Sequence, residues 1–289
     1  MNIPTILTLL FVGYVLVWWY VIWNNHGRKL QTLDGYIPPA PGFRATKAMV
    51  MTSYIGRFVL AGSCTIVGRE NIEKVKDWRV MFLPSHVDEA DWSVIFPELG
   101  RPTRYLASRD QLDGVRKRLA AFTGALAVDN SKKESRGGAR EAAVAAMVKD
   151  GPRAALTIFM QGKLVRDNVI IIDDFKPGAV RIAKAVVDRT DSLRLAVIPM
   201  GIAYVQDENV GRLRRFLNEF GAKVARPKLI VHNVGAVLVI GDPIPVACLS
   251  QDEDAAIAAL IAAIKKCSDQ AKEIAAQKLQ ERRAKQRVA

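Results

Sequence analysis

Cysteine is scarce in this chain, and its placement excludes more than its number. Cys64, Cys248 and Cys267 are the only three in 289 residues. An odd count with neither paired nor metal-like spacing argues against a disulfide framework, a zinc site or a thiol redox motif, and suits a reducing compartment. No internal repeat is present. Charge is missing altogether from Ile3 to Trp23, a length that approaches the roughly 20 residues a helix needs to cross a bilayer. That segment also lacks the basic start and small-residue cleavage site of a signal peptide, so it reads as an uncleaved anchor.

What is present supports the same picture. Trp18, Trp19, Tyr20 and Trp23 gather at the carboxyl end of the apolar segment, with His26, Arg28 and Lys29 just beyond. Aromatic rings favour the headgroup region, and basic residues mark the cytoplasmic flank. The rest of the chain is therefore expected at the membrane, on its cytoplasmic side. Half of the residues are apolar, enough for a sizeable core with disorder confined to the ends. The net charge of +13 calls for an acidic partner: anionic lipid, a phosphate-bearing substrate or nucleic acid. The anchor argues for membrane lipids and against nucleic acid.

The chemistry concentrates in Leu83-Pro-Ser-His-Val-Asp-Glu-Ala-Asp-Trp92. Residues five apart lie about 140° apart around a helix and on opposite faces of a strand, so His86 can meet Asp91 only across a turn. Val80 to Pro84 reads as a short buried strand and Trp92 to Phe96 as the start of a helix. His86 then sits at the carboxyl end of a strand, where open α/β sheets place ligands. A neutral imidazole there can take a proton from an attacking hydroxyl, while a carboxylate on its other nitrogen fixes the tautomer. No covalent Ser or Cys intermediate is needed. Asp88 and Glu89 are rival carboxylates by proximity.

Along the chain, residues 1–30 are expected to form the anchor helix, 31–66 a Pro-rich linker and an interfacial helix, 67–250 the domain that carries the chemistry, and 251–289 a helix with a basic tail. Within the domain, strands are expected at Arg104 to Ser108, Ala125 to Asp129, Ala154 to Met160, Arg194 to Met200, Lys228 to Val234 and Ala236 to Gly241. Asn130 to Gly138 reads as a basic, glycine-containing loop with Lys132, Lys133 and Arg136, of a kind that binds phosphate ahead of a helix. Gln161-Gly162 ends a buried strand, with Lys163 and Arg166 following.

In order and spacing, these blocks resemble the glycerolipid acyltransferases of the 1-acylglycerol-3-phosphate acyltransferase type, from about Val67 to Pro245. His86 through Asp91 matches the family's His-x4-Asp motif. Gly124 to Asn130 is similar to the second block, Ile158 to Gly162 stands at the third, Phe175 to Ala183 resembles the segment that follows it, and Val197 to Gly201 is similar to the fourth. The resemblance implies an α/β fold with a parallel-rich sheet flanked by helices. It also implies an acyl donor thioester on coenzyme A or acyl carrier protein, a hydroxyl acceptor on a phosphate-bearing lipid, and no metal or other cofactor. His86 would be the general base and Asp91 its orienting partner. Where the family's second block usually carries Arg after the Asp, this chain has Asn130, which leaves phosphate to Lys132, Lys133 or Arg136. Where the third block carries Pro-Glu and Thr-Arg, this chain has Met160-Gln161 and Lys163-Leu164. Gln161 still donates and accepts hydrogen bonds but lacks the charge, and Lys163 or Arg166 would supply the cation.

Overall fold

Between Val80 and Pro84 the chain offers no polar side chain, so neither face of that strand can be left in water. In the computed structural model this run is strand β2 (Arg79–Pro84), buried at every position. The structure describes residues 37–109, 112, 114–129, 133–165, 175–225 and 232–288, with Thr5, Leu9, Val12, Gly13, Leu16 and Tyr20 as isolated positions before them.

The elements follow in order. Helix α1 (Phe43–Gly56) runs into a π-helical turn (Arg57–Ala61), then β1 (Ser63–Val67), α2 (Glu70–Glu73) and β2. Next come α3 (Asp91–Ile95) with a 3-10 turn (Phe96–Glu98), β3 (Arg104–Ser108), α4 (Gly114–Phe122), β4 (Leu126–Val128), α5 (Lys133–Lys149) and β5 (Ala155–Thr157). The remainder is α6 (Gly178–Thr190), β6 (Leu195–Gln206), α7 (Arg212–Ala225), β7 (Asn233–Ile240), β8 (Ile244–Pro245) and α8 (Glu253–Val288).

The strands form one sheet in the order β1, β7, β6, β2, β5, β3, β4, with β8 beside β6. Pairing is parallel through β2, β3, β4 and β5 and between β1 and β7. It is also parallel between β2 and β6, and antiparallel where β6 meets β7 and β8. The expected parallel-rich α/β sheet is thus present, with an antiparallel strip around β6. Period-two alternation divides the core. Val80 and Phe82 of β2 pack with Val94, Ile95 and Phe96 on one face. Met81 and Leu83 pack on the other face against α5, α6 and the first half of α8. Both faces are covered, as a central parallel strand requires.

Several boundaries differ from the sequence expectation. The strand expected over Ala154 to Met160 stops at Thr157, and the Ile158 N–H donates to the Phe82 carbonyl as the chain turns toward the end of β2. The strand ending at Met200 continues to Gln206, because its second half finds a new partner in β7. The two final strands are one from Asn233 on, while 228–231 lie outside the described residues. The basic loop is a correction: from Lys133 onward it is already helix, so Arg136 sits on α5, exposed. Most of the expected anchor lies outside the described residues. Among the described residues no helix is long and apolar enough to cross a membrane.

Candidate active site

Beyond Pro84 the chain keeps contact with β6 for one more residue: the Ser85 N–H donates to the Met200 carbonyl and the Ile202 N–H donates to Ser85 Oγ, at 2.9 and 3.0 Å. That extension delivers His86 at the carboxyl end of β2. Its backbone is held from the opposite side. The His86 N–H donates to Gln161 Oε1 at 2.9 Å, and its carbonyl accepts the Val165 N–H at 2.8 Å. The ring stacks on Phe159 with centroids 4.0 Å apart and planes at 28°.

Imidazole and carboxylate meet across the turn. His86 Nδ1 lies 2.9 Å from Asp91 Oδ2, with the His side chain 22% exposed and that of Asp91 1% exposed. The same Oδ2 accepts the Val87 and Asp88 N–H groups at 2.8 and 3.0 Å. The other oxygen, Oδ1, accepts the Tyr204 hydroxyl at 2.9 Å. A carboxylate held this way orients the Nδ1–H tautomer and leaves Nε2 as the proton acceptor. Tyr204 remains a donor, since burial, with Asp91 and Asp88 nearby, pushes its own pKa well above 10.

Among the rival carboxylates, Asp91 alone meets the ring. Asp88 turns back to accept the Ala90 N–H at 2.8 Å, and burial, helped by the nearby Asp91 charge, pushes its carboxyl up to about 6. The helix that begins at Asp91 is braced at its far end. Arg57 donates to the Ser93 and Val94 carbonyls and pairs with buried Glu98 at 2.7 Å, and Arg69 also pairs with Glu98. Arg57, a charge interrupting an apolar run in the sequence, therefore points into the protein.

The structure brings His86, Asp91 and Gln161 together, with Gly162 next to Gln161. Gly162 closes the turn after Phe159 with φ at +64°, a conformation that favours glycine. Lys163 stands exposed beside that turn. Arg136 makes no described contact with the His86 cluster, and Asn130, Lys132 and Arg166 lie outside the described residues. Sequence reasoning missed Tyr204 and Phe159. Tyr204 is 113 residues from Asp91 along the chain, and its only signal is a lone hydroxyl in a strand that is otherwise apolar there. Among the described residues no group of three or more His, Cys, Asp and Glu side chains is arranged to hold a metal ion.

In fold, the chain matches the crystal structure of the 1-acyl-sn-glycerophosphate (LPA) acyltransferase PlsC from Thermotoga maritima. The TM-score is 0.55 over 92% of this chain and 96% of that one, at 15% identity. The chain has the glycerolipid acyltransferase fold. No family model matches it, and no curated protein matches it in sequence. Within this glycerolipid acyltransferase fold, the His86–Asp91 pair stands at the carboxyl edge of the sheet, where β2, β6 and the segment after β5 converge.

Proposed function

We propose that this protein is a membrane-associated acyltransferase that moves a fatty acyl group from a coenzyme A or acyl carrier protein thioester to a hydroxyl of a lysophospholipid, first 1-acylglycerol-3-phosphate. The observation that carries the reading is the partly exposed imidazole aligned by Asp91 and Tyr204 at a strand end of this fold. His86 Nε2 takes the acceptor's hydroxyl proton as the oxygen attacks the thioester carbonyl. The tetrahedral intermediate collapses, the carbon–sulfur bond breaks, and the leaving thiolate takes the proton back from His86. The ester and the free thiol are the products. Asp91 stays a carboxylate throughout and stabilises the transient imidazolium. The thioester supplies the reactivity, so no step calls on a metal or other cofactor.

The segment 1–30 would hold the enzyme at the membrane with its catalytic domain in the cytoplasm. Asn130, Lys132, Arg136, Lys163 and Arg166 are the candidates to meet the acceptor's phosphate. A second reading, transfer to a different lipid acceptor, is favoured by Gln161, which puts a neutral amide where the family it resembles carries a carboxylate.

The test is acyl transfer by detergent-solubilised protein from labelled acyl-CoA and acyl carrier protein to a panel of lysolipids, beside His86→Ala and Gln161→Glu. Activity on lysophosphatidic acid that falls by about 10³-fold or more with His86→Ala is expected. Activity confined to another acceptor moves the conclusion to the second reading. Inactivity across all donors and acceptors, including with Gln161→Glu, refutes both.

A further inference from the structure

Helix α3 presents Asp91 at its first position, yet it is only five residues long, Asp91–Ile95. A helix that short does not hold its shape alone in water. Its far end is also left incomplete by the sequence, because the residue four past Ser93 is Pro97, which has no N–H to give the Ser93 carbonyl. A guanidinium from another part of the chain takes that place. Arg57 Nε donates to the Ser93 carbonyl at 3.4 Å, and Nη2 donates to the Val94 carbonyl at 2.8 Å. Nη2 also meets Glu98 Oε1 at 2.7 Å, with the Arg57 side chain 12% exposed and that of Glu98 1% exposed. The second oxygen of Glu98 takes Arg69. The two helices meet without slack: one residue before Arg57, a Cβ on Gly56 would lie 2.8 Å from the Trp92 ring and 3.0 Å from Ser93 Cβ. The π-helical turn begins at Arg57 itself, whose carbonyl accepts the Gly62 N–H at 2.8 Å, and such turns recur at functional sites.

We propose that Glu98, acting through Arg57, is a positioning residue for acyl transfer: it fixes the guanidinium against the end of α3 and so sets where Asp91 meets the His86 imidazole. Neither side chain touches the reacting atoms. The contacts run from the Glu98 carboxylate to the Arg57 guanidinium, to the carbonyls at the end of α3, and through five residues of helix to Asp91. There a single carboxylate oxygen serves the imidazole and the Val87 and Asp88 N–H groups together, so a shift of the helix start changes all three contacts at once. The Glu98 charge keeps the guanidinium in place. Two carbonyls do not compensate a cation that is nearly out of water, and Arg57 lies close enough to the surface to turn into solvent once the carboxylate is neutral. A buried ion pair is by itself poor evidence of stabilisation, which leaves the orientation of Asp91 as the use this geometry gives it. The effect on rate rests on the acyl-transfer reading above, whereas the effect on the imidazole does not.

The test uses the full chain with the ring nitrogens of its three histidines isotope-labelled, since their magnetic resonance shifts report which nitrogen carries the proton. His86 is assigned by the signals lost in His86→Gln. In mildly alkaline buffer the wild type is expected in the Nδ1–H form. Glu98→Gln and, as a second variant that keeps an apolar stem, Arg57→Met should each give a mixture of tautomers. Each should also lower kcat roughly 10- to 100-fold, with KM for donor and acceptor within about twofold of wild type. Ile261→Ala, in the core on the opposite face of the sheet, is the control for lost stability alone; it should lower Tm and keep both the tautomer and kcat. An unchanged tautomer in both Glu98→Gln and Arg57→Met, or the same mixture in Ile261→Ala at an equal fall in Tm, would overturn the inference. A wild type that is itself a mixture, or a change of tautomer that leaves kcat intact, would do so too. The resonances need no turnover, so their result stands apart from whether acyl transfer is found.

Discussion

The carboxylate of Asp91 collects four donors: the imidazole, two backbone N–H groups and the Tyr204 hydroxyl. Tyr204 touches no reacting atom in this arrangement and acts by positioning. Tyr204→Phe should leave KM for the donor nearly unchanged and lower kcat by roughly tenfold, the size of one net hydrogen bond to a charged group. A merely structural role would instead lower thermal stability with kcat intact, so both are to be measured. Asp88 gives a pH signature of its own. Its carboxyl titrates at about 6 in the fold against an ordinary 3.8, so between those values the folded chain keeps a proton that the unfolded chain has lost. The stability carried by the neutral acid is complete below about 3.8 and disappears as pH rises to about 6. Asp88→Asn, which still accepts from Ala90, should match the wild type near the lower limit. At neutral pH it should be more stable by roughly 2 kcal/mol, read from urea midpoints at the two pH values.

At the scale of elements, the sheet is locked to its last helix through a residue without a side chain. A Cβ at Gly201 would overlap the Cys267 carbonyl and the Ser268 N–H, so α8 rests directly on the backbone of β6. Neither side can give way, because both obstructing groups are backbone in regular structure. Gly201→Ala should cost about 3 kcal/mol or more, seen as a fall in Tm. It should also lower activity, since β6 carries both Tyr204 and the Met200 carbonyl that accepts from Ser85. The early stop of β5 belongs to the same scale. After β5 ends at Thr157 the chain turns, and Phe159 stacks on the His86 ring while the Gln161 side chain accepts the His86 N–H.

Across the whole molecule, buried charges join parts of the chain far apart in sequence. Arg104, fully buried at the start of β3, pairs with both oxygens of Asp150 at 2.5 and 2.9 Å and donates to the Pro38 and Gly124 carbonyls. One guanidinium thus pins the Pro-rich linker, the end of α5 and the sheet. Arg104→Met should strand Asp150 and cost roughly 3–5 kcal/mol, measured as a drop in the denaturant midpoint. Asp207, at the end of β6, does similar work for α8. Burial alone would raise its pKa, but the Asn209 N–H and the Arg282 guanidinium at 2.9 Å hold it below the ordinary carboxylate value.

The sequence by itself determined that a buried strand leads into His86, that His86 can meet Asp91 only across a turn, and that Gln161-Gly162 follows another buried strand. Those features are local, set by side-chain period and by the geometry of a few bonds. Only the tertiary structure decided that Asp91 and not Asp88 takes the imidazole, that Tyr204 holds its far oxygen, that Arg57 turns inward to Glu98, and that Arg136 belongs to a helix. Each of these depends on which distant segment arrives at a given point in space. Neither residue spacing nor hydrophobic period records that, because a buried polar group takes whichever partner the packing of the sheet and helices presents.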